Sequence, residues 1–246
     1  MNEGEVSMFA QLSRWRGLGA AITEMHMDRF RERGTDPSSI FEKAIVEPGR
    51  LSTNDIVPAI SWVGSLCGPD ALLTGGWAVR LLCDGQVPRK SSPDLDFVVQ
   101  TGTLTRGAEK MGLIPISHWG SRVGFFETPS GKLRLEMNPV DILPKHIDLT
   151  VGIEEIKVAV PLVIVVGKLI RVARKGPGER DCVDIAALLT SKYGETLVAD
   201  LAHQIQLDTR VKNSLVKLEL PQSVNDLFGG NKEAILRDRV SKLLGV

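Results

Sequence analysis

Leu72-Leu73-Thr74-Gly75-Gly76-Trp77-Ala78-Val79-Arg80 is followed, after a polar loop, by Asp94-Leu95-Asp96-Phe97-Val98-Val99. The first string reads as a short apolar strand over 71–74, a turn at the diglycine and a helix over 77–83. The second reads as a strand over 95–100. Alternate side chains of a strand share a face, so Asp94 and Asp96 project together while Leu95, Phe97 and Val99 face a core. Two carboxylates on one face repel unless a cation lies between them. Hard divalent cations such as magnesium take oxygen ligands of this kind.

Around this centre the pattern stays mixed up to about residue 150. Ser52-Thr53-Asn54-Asp55 has the composition of a helix start, and Ile56, Ile60 and Val63 form its apolar face. A loop over 86–93 carries two prolines, and a helix is expected over 103–111. Strands over 121–128 and 132–136 flank the hairpin turn Pro129-Ser130-Gly131. Val140-Asp141-Ile142-Leu143 reads as a further short strand. From about residue 160 the spacing is helical: 161–175, a break at Gly176-Pro177-Gly178, then 180–191, 195–206, 208–218 and 231–244. Residues 1–50 are charged and helical in flavour. The expected fold class is α+β: an N-terminal helical arm (1–50), a mixed β-sheet core with flanking helices (51–150) and a C-terminal helical domain (151–246).

Composition narrows the class further. Thirty Lys and Arg balance thirty Asp and Glu, so no global field draws the chain to nucleic acid or to an anionic membrane. A hydrophobic content of 43% and a charged content of 24% are those of an ordinary globular protein. Cys67, Cys83 and Cys182 lack metal-type spacing and are odd in number, which disfavours a disulfide framework and predicts buried free thiols in a reducing cytoplasm. The acids Glu3 and Glu5 and the lack of an apolar run argue against a signal peptide. The most apolar stretch, 158–170, contains Pro161 and Lys168 and is too short to span a bilayer. His26, His118, His146 and His203 show no spacing suited to a metal or a catalytic triad.

The order strand, Gly-Gly, helix, loop, Asp-x-Asp strand, hairpin and later carboxylate resembles the nucleotidyltransferase superfamily that includes DNA polymerase β. The string Arg89-Lys90-Ser91-Ser92-Pro93-Asp94-Leu95-Asp96 resembles the Arg-x-Ser/Thr-x-Asp-x-Asp form of its AbiEii/MenA-type branch. So does Lys168-Leu169 followed by Arg180-Asp181-Cys182-Val183-Asp184. The resemblance covers about residues 70–190; Gly76 departs from it, standing where many relatives have serine.

The resemblance implies transfer of a nucleoside monophosphate from an NTP to an acceptor hydroxyl, with release of pyrophosphate. It implies Asp94, Asp96 and Asp141 as catalytic carboxylates holding Mg2+, and nucleotide contacts from Gly75, Gly76, Arg89, Lys168 and Asp184. Glu136, flanked by Leu135 and Met137, competes with Asp141 for the third carboxylate. The expected acceptor is RNA or tRNA, with an antitoxin protein as partner where such relatives act as toxins. A small-molecule acceptor, as in antibiotic-modifying enzymes, and a non-catalytic nucleotide- or partner-binding protein are the alternatives.

Simpler readings stand beside these. Ser-Pro-Asp is ordinary turn chemistry, and Gly-Gly is often only a turn. Lys168 either snorkels to solvent or reaches a cleft. Asp181 and Asp184 suit the first turn of a helix or a structural ion pair. Arg171, Arg174, Lys175 and Arg180 form either a solvated helix face or a surface for RNA.

Overall fold

In the computed structural model the described residues are 51–88, 90–108, 110, 112–115, 122–218 and 231–245, and the expected N-terminal arm lies outside them. They fall into two compact units, one of residues 51–78 and 90–160 and one of residues 79–88, 161–218 and 231–245.

The first unit is built on a mixed seven-stranded sheet. Its elements are α1 (Thr53–Cys67), β1 (Ala71–Thr74), the start of α2 (Gly75–Leu82), β2 (Asp94–Gln100), α3 (Thr101–Ala108), β3 (Ile114–Pro115), β4 (Arg122–Thr128), β5 (Gly131–Val140), β6 (His146–Val151) and β7 (Glu154–Ala159). The strand order is β3-β4-β5-β2-β1-β7-β6. β2 lies at the centre, antiparallel to β1 and parallel to β5. Its Leu95, Phe97 and Val99 are buried, as are Leu133, Leu135 and Met137 on β5. Asp94 and Asp96 lie on the other, partly open face. The α+β class and the alternation on β2 match the expectation from sequence.

Helix α1 starts where Ser52 predicts it. The Ser52 backbone N–H and hydroxyl both donate to Asp55 Oδ2, at 2.8 and 2.7 Å. The hydroxyl of Ser130, in the β4–β5 turn, donates to Asp55 Oδ1 at 2.9 Å. One carboxylate thus ties the first turn of α1 to a hairpin. The Ser52 hydroxyl, then its N–H, then Ser130 hold the Asp55 carboxyl below the usual carboxylate range, against a smaller opposing effect of burial. A depressed folded-state pKa means the stabilisation is present above the unfolded pKa and lost as pH falls through the folded one. Asp55→Ala is expected to cost about 1–2 kcal/mol near neutral pH. In denaturant titrations the gap between wild type and mutant should close in acid, below about pH 4.

Two expectations need correction. The boundary placed at residue 150 falls inside β6, and the sheet runs on to Ala159. The strand expected over 140–143 does not form: β5 continues to Val140, and residues 141 and 142 are a bend. The hairpin β6–β7, turning at Gly152 with φ +65°, was not anticipated, although Ile147, Leu149 and Val151 alternate along it.

The second unit is helical: α4 (Pro161–Lys175), α5 (Glu179–Thr190), α6 (Gly194–Leu207), α7 (Thr209–Val216) and α8 (Asn231–Leu244), with the end of α2. Proline opens α4 at its first position, where a missing N–H costs nothing. Gly176 closes it at φ +79°, its N–H donating to Val172 O at 3.0 Å. No helix among the described residues is long and apolar enough to cross a membrane.

Candidate functional site

The site forms at one end of the central strands, where β1 ends and its antiparallel neighbour β2 begins. Thr74 pairs with Asp96, so the diglycine that follows Thr74 emerges beside the Asp-x-Asp pair. Gly75 has φ +69°, a conformation that glycine adopts without strain. A Cβ built on Gly75 would fall 2.7 Å from Cγ and 2.9 Å from Cβ of Asp96, and would overlap its carboxylate. The Gly75 backbone therefore lies directly against Asp96 because it has no side chain. Helix α2 starts here, and the first N–H groups of a helix have no partner within it.

Gly75→Ala is expected to fail on both counts. The left-handed backbone costs about 1–2 kcal/mol, and the methyl group displaces the Asp96 carboxylate. Lower thermal stability, followed in a melting curve, is the expected result.

Two of the hydrogen bonds that hold the loop before β2 lead to the first aspartate. Trp77 Nε1 donates to Ser92 O at 2.9 Å, and Ser92 Oγ donates to Asp94 Oδ1 at 2.9 Å. Trp77 is 1% exposed. A core residue of the diglycine helix thus holds the backbone whose hydroxyl orients the first aspartate. Ser92 carries no motif that announces this role in the sequence.

Parallel pairing with β5 puts Arg134 beside Asp94 and Glu136 beside Asp96. Residues in register share a face, so Glu136 is the third carboxylate of this surface. Asp141 is not. It lies beyond the end of β5, exposed, and accepts a hydrogen bond from Thr101 Oγ1 at 3.2 Å. That is the far end of β2, five residues past Glu136, or about 16 Å at strand rise. Glu136, and not Asp141, therefore lies with Asp94 and Asp96 on this surface.

Glu136 Oε2 lies 3.1 Å from Arg134 Nη2. As the side chains stand, no three His, Cys, Asp or Glu residues among those described are grouped to hold a metal ion. In kind the surface still suits a divalent cation. The donors are hard carboxylate oxygens, the Gly75 cradle is one that a Cβ would fill, and the Arg134 guanidinium already occupies the place of a cation beside Glu136.

The other residues expected to contact nucleotide divide differently. Gly76 follows Gly75 at the head of α2. Arg89 lies outside the described residues. Lys168 and Asp184 belong to the helical unit and are committed to each other. Lys168 Nζ lies 2.6 Å from Asp184 Oδ2 and 3.1 Å from Asp181 Oδ1, and Arg171 Nη1 lies 3.3 Å from Asp181 Oδ1. Lys168 is 5% exposed and Asp184 1%. Neither snorkelling nor a cleft describes this lysine: it neutralises two aspartates inside the helical unit. The signal in the sequence was Asp181 and Asp184 three residues apart, on one helix face. Cys67, Cys83 and Cys182 are buried free thiols, as expected. Burial, aided by Asp184, pushes the Cys83 thiol up to about 12, which leaves it inert as a nucleophile.

No family model and no curated protein matches the sequence. Solved structures similar in chain path include the following two. An antigenic nucleotidyltransferase-like protein from Paracoccidioides brasiliensis aligns at 18% identity with a TM-score of 0.42, over 72% of this chain and 99% of its own. JHP933 from Helicobacter pylori aligns at 20% identity with a TM-score of 0.43, over 79% and 94%. At these values the likeness carries no weight for substrate or activity, which rest on the site itself.

Proposed function

We propose that the protein is a nucleotidyltransferase that moves a nucleoside monophosphate from an NTP to an acceptor hydroxyl and releases pyrophosphate. The observation that carries this reading is the contact of the Gly75 backbone with Asp96. It sets a strand edge lined with carboxylates directly against a helix N-terminus, so that groups suited to a cation and groups suited to phosphate oxygens adjoin. An isolated turn or helix cap would not require glycine to abut a carboxylate on another strand.

Asp94 and Asp96 are the residues that would hold Mg2+, with Glu136 in register beside them. When bound, the ion would neutralise triphosphate charge and favour ionisation of the attacking hydroxyl. The backbone N–H groups of Gly75 and Gly76, at the head of α2, would donate to phosphate oxygens. Ser92 holds Asp94 in the orientation that this needs. RNA is the proposed acceptor, supported by the exposed cations Arg174, Lys175 and Arg180 about the Gly176–Gly178 turn.

Incubation with each α-labelled NTP, magnesium and total RNA tests the proposal. Label in the RNA fraction is the expected result. Label on an aminoglycoside but not on RNA would move the acceptor to a small molecule. Saturable NTP binding with no transfer to either would make the protein a binding module.

A further inference from the structure

Arg134, which no reading of the sequence had singled out, stands across the β2–β5 ladder from Asp94, as Glu136 stands across from Asp96. Three acids and Arg134 therefore share one face of two adjacent strands, with Lys132 further along β5 on the same face but paired with Glu127 of β4. Positions two apart on a strand are separated by about 7 Å. For Arg134 Nη2 to come within 3.1 Å of Glu136 Oε2, the two side chains must lean along β5 towards each other. Glu136 is thereby engaged beside its neighbour, and the carboxylates do not form a group of three.

We infer that Arg134 is the resident counter-cation of this surface: it holds Glu136 until a cation-bound triphosphate arrives, then passes to the phosphate and releases Glu136 to the metal. The inference rests on the reading of Asp94 and Asp96 as cation ligands. Its physical basis is that a guanidinium fork binds carboxylate and phosphate with the same donors. Carboxylates on neighbouring strands, about 5 Å apart, need a positive charge in the unliganded protein. Arg134 supplies that charge when no metal is bound. Metal alone then binds weakly and metal with triphosphate binds strongly, because exchange of the arginine couples the two ligands. Such coupling is reciprocal: triphosphate must tighten metal binding by the same factor as metal tightens triphosphate.

The test is Mn2+ affinity of the full chain, followed by the paramagnetic resonance of free Mn2+, with and without tripolyphosphate. Circular dichroism verifies the fold of each variant. Arg134→Gln is expected to bind Mn2+ alone about tenfold more tightly than wild type. Adding Glu136→Gln to it should abolish the gain. Tripolyphosphate should tighten Mn2+ binding in wild type and do so much less in Arg134→Gln. Unchanged or weaker Mn2+ binding by folded Arg134→Gln would overturn the role of Arg134. If instead Asp96→Asn leaves Mn2+ affinity unaltered in both the wild-type and the Arg134→Gln background, the cation site itself is lost, a distinct failure.

Discussion

Asp96→Asn is expected to lower nucleotidyl transfer by about 10^3-fold while leaving the fold intact. Asp96 lies on the open face of the central strand, beside Thr74 on β1 and Glu136 on β5, against the backbone of Gly75. Asparagine preserves its shape, so the sheet and the Gly75 contact are kept. It removes one negative charge from a face that carries Asp94 and Glu136 as well, so thermal stability should hold or rise slightly. This combination separates a ligand from a structural residue. Transfer of label from α-labelled NTP, followed beside a melting curve, is the measurement. Transfer at the wild-type rate in a folded Asp96→Asn protein would remove Asp96 from the chemistry.

The second large effect concerns stability. Lys168→Met removes the cation shared by Asp181 and Asp184, 5% and 1% exposed, while the half-exposed Arg171 still reaches Asp181. Breaking a buried pair by removing one partner costs about 3–5 kcal/mol, whereas replacing all the charges by neutral groups of similar size is often close to neutral. Lys168→Met is thus expected to destabilise the helical unit by that amount. The triple replacement Lys168→Met, Asp181→Asn, Asp184→Asn should recover most of it. Urea unfolding of the three proteins decides the matter. A nucleotide-binding lysine would behave in the opposite way, with stability little changed and NTP affinity reduced.

The decisive part of the fold was legible because it is local. An apolar run, a diglycine, a helix and an alternating strand with acids on one face follow each other along the chain, and each leaves its own periodicity. The third carboxylate was not legible for a specific reason. Glu136 lies between Leu135 and Met137, and Asp141 between Val140 and Ile142, so alternation alone treats them alike. What separates them is the register of β5 against β2 and the end of β5 at Val140, both properties of non-local pairing. Lys168 failed similarly. Its helical spacing said that it sat among apolar residues, but whether solvent, a cleft or an acid met its amino group depended on how α5 packs against α4. Ser92 and Arg134 carry no motif of their own. The first matters through a hydrogen bond to Asp94, the second through its place in a ladder. The hairpin β6–β7 had a readable alternation, and it was the helical pattern beginning just after it that obscured the boundary.

Diffraction from crystals grown with Mn2+ and a non-hydrolysable NTP would test the central claim most directly, because anomalous scattering locates the ion without reference to any motif. An anomalous peak within coordination distance of the Asp94 and Asp96 carboxylates, with the triphosphate against the Gly75–Gly76 turn, is the expected result. A nucleotide bound elsewhere, with no peak at that pair, would contradict it.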